Sequence, residues 1–343
     1  MGGDHGPPVV APGVALALER MRGRNVRFLL HGKENELKVE LDKLPAVRAC
    51  SEIRPTELVI GMEDKPAQAL RRGKGSSLWN AVESIRAGDA QAAVSAGNTG
   101  ALWAISKLTL RMVSRELDRP AIVASWPTMR GVTAVLDVGA NVTSNATQLV
   151  EFAIMGEAFY RAVHGARRPT VGLLNVGSEE QKGNDEVREA HRLLREGGLQ
   201  IDYRGFVEGD DIAKGTVDVV VTDGFSGNVA LKTAEGMALF FSALLRETLT
   251  SDVRARMGAL IAMPALRRMR QRIDPATVNG GPLLGLNGIV VKSHGGASPA
   301  GFANAIVIAA DLARSDFSTE IERNMSRLAD VLGQPAEAAG RAT

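Results

Sequence analysis

The feature that most constrains this chain is a recurring junction, in which a short apolar run passes straight into a glycine-bearing polar loop. The junctions read SAGNTG (95–100), DVGANV (137–142), NVGSEEQKGN (175–184), TDGFSGN (222–228) and KSHGGAS (292–298). The runs ahead of them are rich in Val, Ile and Leu without polar alternation, as in strands buried on both faces. Strands are expected at NVRFLL (25–30), ELVIG (57–61), AAVSA (92–96), AIVAS (121–125), TAVLDV (133–138), TVGLLNV (170–176), DVVVTD (218–223) and GIVVKS (288–293). Amphipathic stretches such as SSLWNAVESIRAG (76–88) and NATQLVEFAIMGEAFYRAV (145–163) lie between them. This alternation predicts an α/β fold with a mainly parallel sheet covered by helices.

In an open parallel sheet the loops at the carboxyl ends of the strands share one edge, and ligands bind there. Glycines let backbone N–H groups approach an anion, and helix N-termini behind them add positive dipole. A single loop of this kind is an ordinary tight turn. Five of them, carrying Asn, Ser and Lys, predict an anion pocket.

Several function classes drop out. The formal net charge of +2 over 343 residues gives no electrostatic case for nucleic acid. The single cysteine, Cys50, excludes an internal disulfide framework and fits a reducing compartment. No apolar run approaches the ~20 residues needed to span a bilayer, and the N-terminus lacks a signal-peptide pattern. The expected location is cytoplasmic, with any membrane contact peripheral. No segment has the spacing of a nucleotide P-loop or a dinucleotide fingerprint. The five histidines show no zinc spacing, and GFSGN (224–228) lacks the second glycine of a nucleophile elbow. Neither metal nor cofactor is expected.

The loops supply the candidate residues. Lys182 and Asn184 stand among acids after a strand, where a solvated loop is the plain alternative. Asp223 ends an apolar strand, Ser226 and Asn228 are positioned to cap the next helix, and Lys232 follows further along it. An acid at the end of a buried strand needs a partner. Lys182 and Lys232 are the candidates, against the alternative of a helix cap with a surface lysine. RRGKGSSLWN (71–80) sets Lys74 beside Ser76 and Ser77, as a phosphate site or as a basic N-cap. His294 is either catalytic or a buried structural histidine.

SDVRARMGALIAMPALRRMRQRI (251–273) is different in kind. Val253, Met257, Leu260 and Ile261 share one helical face. After Pro264, Leu266, Met269 and Ile273 make another, among Arg254, Arg256, Arg267, Arg268, Arg270 and Arg272. Such a basic helix pair suits an anionic membrane surface, an acidic partner or a subunit interface. GMALFFSALL (236–245) reads as an acyl-chain wall or as core packing. The chain opens on MGGDHGPPVV (1–10), a turn-forming run with no element ahead of it. It is either a frayed terminus or a turn that has lost its preceding strand.

In order along nearly the whole chain, MGGDHGP, GMEDKPAQALRRGKGSSL, SAGNTGAL, LDVGANV, LLNVGSEEQKGN, VDVVVTDGFSGNVALKTAEG and GGPLLGLNGIVVKSHG resemble the bacterial phosphate acyltransferases of phospholipid synthesis. The resemblance implies a three-layer αβα sandwich akin to phosphotransacetylases and isocitrate dehydrogenases, with a protruding basic amphipathic helical segment at about 236–275. It implies one domain over 1–333; the tail at 334–343, rich in Ala, Glu and Gly, is expected from its composition to be disordered. In the family a short apolar strand ending in an Asp-Ala pair precedes MGGDHGP, and this chain has none. Gly75 and HGGASPAG also depart from the family pattern.

The implied reaction carries a long acyl chain from acyl carrier protein to inorganic phosphate, reversibly, giving acyl phosphate for phosphatidic acid. Phosphate is already anionic, so the enzyme must align it with the thioester carbonyl and stabilise the oxyanion and thiolate. On that basis Lys182 and Lys232 are expected to stabilise anions, and Asn184 and Asn228 to donate to phosphate or oxyanion. Asp223 orients a lysine and His294 protonates the thiolate. Ser95, Gly97, Asn98, Thr99, Asn141, Ser226, Lys74, Ser76 and Ser77 complete the expected phosphate surroundings. Arg254, Met257, Leu260, Ile261, Leu266, Arg267, Arg268 and Met269 are expected to contact membrane or carrier. Implied partners are the carrier, a second copy in a homodimer, anionic membrane and a membrane acyl-phosphate:glycerol-3-phosphate acyltransferase. A coenzyme A-dependent short-chain phosphotransacetylase and a non-catalytic carrier-binding protein are the alternatives.

Overall fold

The computed structural model describes residues 1–273 and 279–333, with side chains described except at 270–273 and 330–333. The strands are β1 (Phe28–Gly32), β2 (Ser51–Pro55), β3 (Ala92–Ser95), β4 (Ala121–Thr128), β5 (Gly131–Leu136), β6 (Thr170–Leu174), β7 (Asp202–Val207), β8 (Val219–Val221), β9 (Gly281–Leu284) and β10 (Ile289–Lys292). Among the described residues they form a two-stranded sheet, β1-β2, and an eight-stranded sheet in the order β3-β10-β9-β4-β5-β8-β6-β7. The expected tail at 334–343 and the segment 274–275 lie outside the described residues.

Helices α1 (Pro7–Arg20), α2 (Glu34–Asp42) and α3 (Pro45–Ala49) pack with β1 and β2. One face of the large sheet carries α4 (Pro66–Arg72), α5 (Ser77–Arg86) and α6 (Thr99–Leu110). The other carries α7 (Ala146–His164), α8 (Asp185–Glu196), α12 (Pro299–Leu312) and α13 (Phe317–Gly333). The short α9 (Gly209–Lys214) lies on the α4–α6 face. The expected αβα sandwich is therefore the observed one.

Its strands read as they pack. On β8, Val219 and Val221 enter the α7 side of the core while Val220 enters the α6 side. Ala134 and Leu136 alternate with Val135 on β5 in the same way. Side chains alternate along every strand, but both faces are covered, so both sets are apolar.

The sheet is mixed. Pairs β3-β10, β5-β8, β8-β6 and β6-β7 are parallel, whereas β10-β9, β9-β4 and β4-β5 are antiparallel. This corrects the expectation that all glycine loops share one edge. The loops after β3 and β10 leave one edge, and those after β5, β6 and β8 leave the opposite edge. The reversal comes from the β4–β5 hairpin together with β9, which runs against both its neighbours.

ELVIG (57–61) forms no strand; Ser77 N–H donates to Leu58 C=O, so this backbone pairs with the start of α5. Between β1 and β3 lies a cavity of about 1010 Å³, lined by both strands and by Val10, Val14, Phe302 and Ile306. In the described residues β1 pairs only with β2 and β3 only with β10, so each turns an unpaired edge to this cavity.

Two long helices, α10 (Gly224–Thr250) and α11 (Val253–Ile273), complete the chain. The expected helix pair broken at Pro264 is one continuous helix. Proline removes the bond to the Leu260 carbonyl, and both residues are exposed, so the loss falls on the solvent side of the helix.

Candidate active site

At the edge where β3 and β10 end, four loops meet. The N-terminal GGDHG loop threads between the other strand-end loops. Gly2 and Gly3 have φ of 80° and 79°, and a side chain there would lie 3.1 Å from Gly97 Cα and 2.9 Å from Ala96 Cβ. Only glycine fits both demands. Asp4 N–H donates to Gly295 C=O at 3.0 Å. Its carboxylate closes over Gly295 and Gly296, where any β-carbon would crowd it at 3.1 and 3.0 Å. Helices α1, α6 and α12 all begin here, so three positive dipole ends face this edge.

The fourth loop is tied in by Asn98. Its Oδ1 accepts from Ala101 N–H at 3.0 Å, capping α6. Its Nδ2 donates to the carbonyls of Gly61, Met62 and Asp64 at 3.2, 2.7 and 2.8 Å. The buried Asn98 side chain is thus committed to shaping the loops, and the α6 backbone amides are what it leaves facing outward. Ser95 Oγ accepts from Gly97 N–H at 3.1 Å, and Thr99 is exposed at the helix start. Ser76 caps α5 by accepting from Trp79 N–H, and both Ser76 and Ser77 are buried; Lys74 beside them is exposed.

His294 is exposed, which settles the alternative of a buried histidine. Its Nδ1 accepts from Gly296 N–H at 3.1 Å, which assigns the neutral ring's proton to Nε2. Asn279 Oδ1 fixes the His294 backbone, and Asn279 Nδ2 donates to Ser293 Oγ.

At the opposite edge, Asp137 is buried and accepts from the N–H groups of Ile122, Gly139, Ala140 and Asn141. Burial pushes its carboxyl up, and these bonds oppose that. Asn141 Nδ2 donates to Asp137 and to Pro120 C=O. Asp223 caps α10, accepting from Ser226 N–H at 2.8 Å and Ser226 Oγ at 3.0 Å. It orients no lysine, since Lys182 pairs with Glu179 and Lys232 with Glu235. Asn184 caps α8 through Val187 N–H at 2.9 Å. Asn228 is exposed beside Gly139, and its amide makes no hydrogen bond to the described residues.

Helix α10 links the two edges. It starts at the end of β8, and Leu231 packs on the same sheet face as Val220 and Val290. Lys232 thereby comes within electrostatic reach of Lys292, at the end of β10. Burial pulls Lys292 down to about 8; Asp4 opposes the shift and Lys232 adds to it. Sequence reasoning missed Asp4, Asn279 and Lys292, although a lysine ending the apolar run GIVVK was a legible signal.

Beyond the sheet, Met237, Leu239, Phe240, Phe241, Leu244 and Leu245 of α10 are exposed, so GMALFFSALL is not core. On α11 the half-buried residues are Ala255, Ala259, Met263 and Leu266, leaving Met257, Leu260, Ile261 and Met269 exposed with Arg254, Arg267 and Arg268. No helix among the described residues is long and apolar enough to cross a membrane.

A family model described as "Fatty acid synthesis protein" matches residues 1–320. A phosphate acyltransferase of Caulobacter vibrioides is 68% identical over 328 residues, spanning 96% of this chain and 90% of that protein. This chain belongs to the phosphate acyltransferase family. By that membership it is an acyltransferase. Another phosphate acyltransferase, from Phenylobacterium zucineum, is 60% identical over 336 residues, 98% of this chain and 95% of its own. Solved phosphotransacetylases from Staphylococcus aureus and Streptococcus pyogenes, each 17% identical, align with TM-scores of 0.54 and 0.58. They cover 89% and 88% of this chain, and 99% and 91% of their own. At that identity the likeness concerns the fold.

Proposed function

We propose that this phosphate acyltransferase moves a long-chain acyl group from the thioester of acyl carrier protein to inorganic phosphate. A phosphate oxygen attacks the thioester carbonyl, the C–S bond breaks, and the carrier thiolate takes a proton to leave as thiol. The acyl phosphate formed serves phospholipid synthesis, through a membrane acyl-phosphate:glycerol-3-phosphate acyltransferase.

The observation that carries this reading is the meeting of the GGDHG, β3 and β10 loops with the starts of α1, α6 and α12, where Lys292 also feels the charge of Lys232. Lys292 makes no salt bridge among the described residues, and with Lys232, which is shared with Glu235, it offers cationic charge to an anion there. Backbone amides at the start of α6 and Asn228 add donors for phosphate and for the oxyanion. The exposed Nε2–H of His294 is proposed to hydrogen-bond the departing thiolate, and the proton the thiolate takes is the one hydrogen phosphate gives up as it becomes the more acidic acyl phosphate. Lys182 and Asn184 hold the second edge, with Lys182 as the expected further cation.

The exposed apolar length of α10 and α11, bordered by Arg254, Arg267 and Arg268, supports contact with an acyl-bearing acidic carrier, an anionic membrane surface or a second copy in a homodimer. The protein is read as one domain over 1–333, acting in the cytoplasm or at the inner membrane face. Incubation with long-chain acyl carrier and phosphate, followed by hydroxylamine trapping, tests the reading. Hydroxamate from the carrier substrate supports it. Hydroxamate from short-chain coenzyme A thioesters alone assigns a phosphotransacetylase, and carrier binding without any hydroxamate assigns a non-catalytic protein.

A further inference from the structure

We propose that Lys292 is a phosphate-holding residue of this site, its ammonium anchored by two backbone carbonyls where β3 and β10 end and offering its remaining N–H to a phosphate oxygen. The proposal rests on the phosphate acyltransferase reading and adds to it a residue outside the loops' polar motifs.

Strand alternation places the side chain. Val291 enters the α7 side of the core and Val290 the α6 side, so Lys292 turns to the α6 side, the face crossed by α10. There its Nζ donates to Ala96 C=O at 3.4 Å and to Ser293 C=O. Those carbonyls belong to the loops that follow β3 and β10, so the ammonium joins both. An ammonium has three N–H donors, and two are taken. Carbonyls orient the group without neutralising it.

The charged groups acting on it are Asp4 from the N-terminal loop and Lys232 from α10, the latter paired with Glu235 on the same helix. Lys292, by contrast, makes no salt bridge among the described residues, so its ammonium keeps charge for an anion, which suits a dianion better than a neutral acyl donor. Burial, with the like charge of Lys232, brings the lysine down to about 8, against the pull of Asp4. Bound phosphate favours the ammonium, so phosphate affinity declines once pH passes that value.

The test uses the full chain, with inorganic phosphate as the probe. Phosphate binding is measured by calorimetry, and acyl transfer kinetics are followed across pH for the unaltered protein, Lys292→Gln and Lys292→Arg. In Lys292→Gln the phosphate Kd and KM are expected to rise about ten-fold or more, with the acyl-donor KM little changed and the melting temperature retained. In Lys292→Arg, which keeps its charge, the alkaline fall in kcat/KM for phosphate is expected to disappear. Unchanged phosphate affinity in Lys292→Gln, or an alkaline fall that persists in Lys292→Arg, overturns the proposal. If the unaltered protein binds phosphate through Lys292 but forms no acyl phosphate, the transfer reading fails while this assignment stands.

Discussion

Lys232 on α10 and Lys292 at the end of β10 stand within electrostatic reach of each other, although the strands that lead to them run in opposite directions. The charge of Lys232 disfavours the ammonium of Lys292. Replacing Lys232 with Met therefore raises the Lys292 pKa above its value of about 8. Carbon-13 titration of reductively methylated protein measures the shift; an unmoved Lys292 midpoint means that the two lysines do not share a cleft.

Asn228 and Lys182 are exposed, so their removal leaves the fold intact. Alanine at either position is expected to lower kcat by about 100-fold or more, the scale of one lost oxyanion donor. The melting temperature should move little, because neither side chain makes a contact that the core needs. Retained turnover would remove that residue from the chemistry.

Asn98 contrasts with Asn228, having the same side chain but a buried and fully bonded amide. Asn98→Ala loses the α6 cap and leaves the 61–64 carbonyls short of a donor, for a destabilisation of about 2–4 kcal/mol. Asn98→Asp keeps the cap acceptor but sets a carboxylate oxygen against those three carbonyls, so it is expected to be no more stable than Asn98→Ala. Urea melts of the two variants order them, and equal stability of all three proteins contradicts the assignment.

His31, on β1, is held at about 4 by burial first, then by the charge of Arg54. The folded protein thus keeps it neutral, whereas the unfolded chain takes up a proton below its ordinary value of 6.5. The unfolded state binds more protons in that window, so stability falls as pH drops from 6.5 towards 4 and levels off below. Discounted for partial exposure, the loss is about 1–2 kcal/mol. A His31→Gln variant should flatten this slope between pH 7 and 4.5 in denaturant titrations; an unchanged slope assigns it to other groups.

The layers of this fold were legible because strands such as β5 and β8 are apolar on both faces. Edge strand β7, DYRGFV, was not, because its half-exposed face carries polar residues. Strand β9, GPLL, is four residues opened by Gly-Pro, which reads as a turn. Strand direction is set by pairing across the sheet, so the split of the loops between two edges had no local signal. The candidate site was harder still. Asn98, Asn184, Asp223 and Ser76 have side chains that serve equally as ligands and as helix caps, and only the partner atoms distinguish these roles. Asn228 and His294 kept their availability, while Lys292 looked like the end of an apolar run.

Acyl transfer to phosphate is tested most directly with phosphate labelled by oxygen-18 at all positions and a long-chain acyl carrier thioester. Mass spectrometry of the product is read alongside titration of the released thiol. Acyl phosphate retaining every labelled oxygen, with one carrier thiol freed per molecule formed, is the predicted result. Free fatty acid without acyl phosphate, or a thioester left intact, would contradict it.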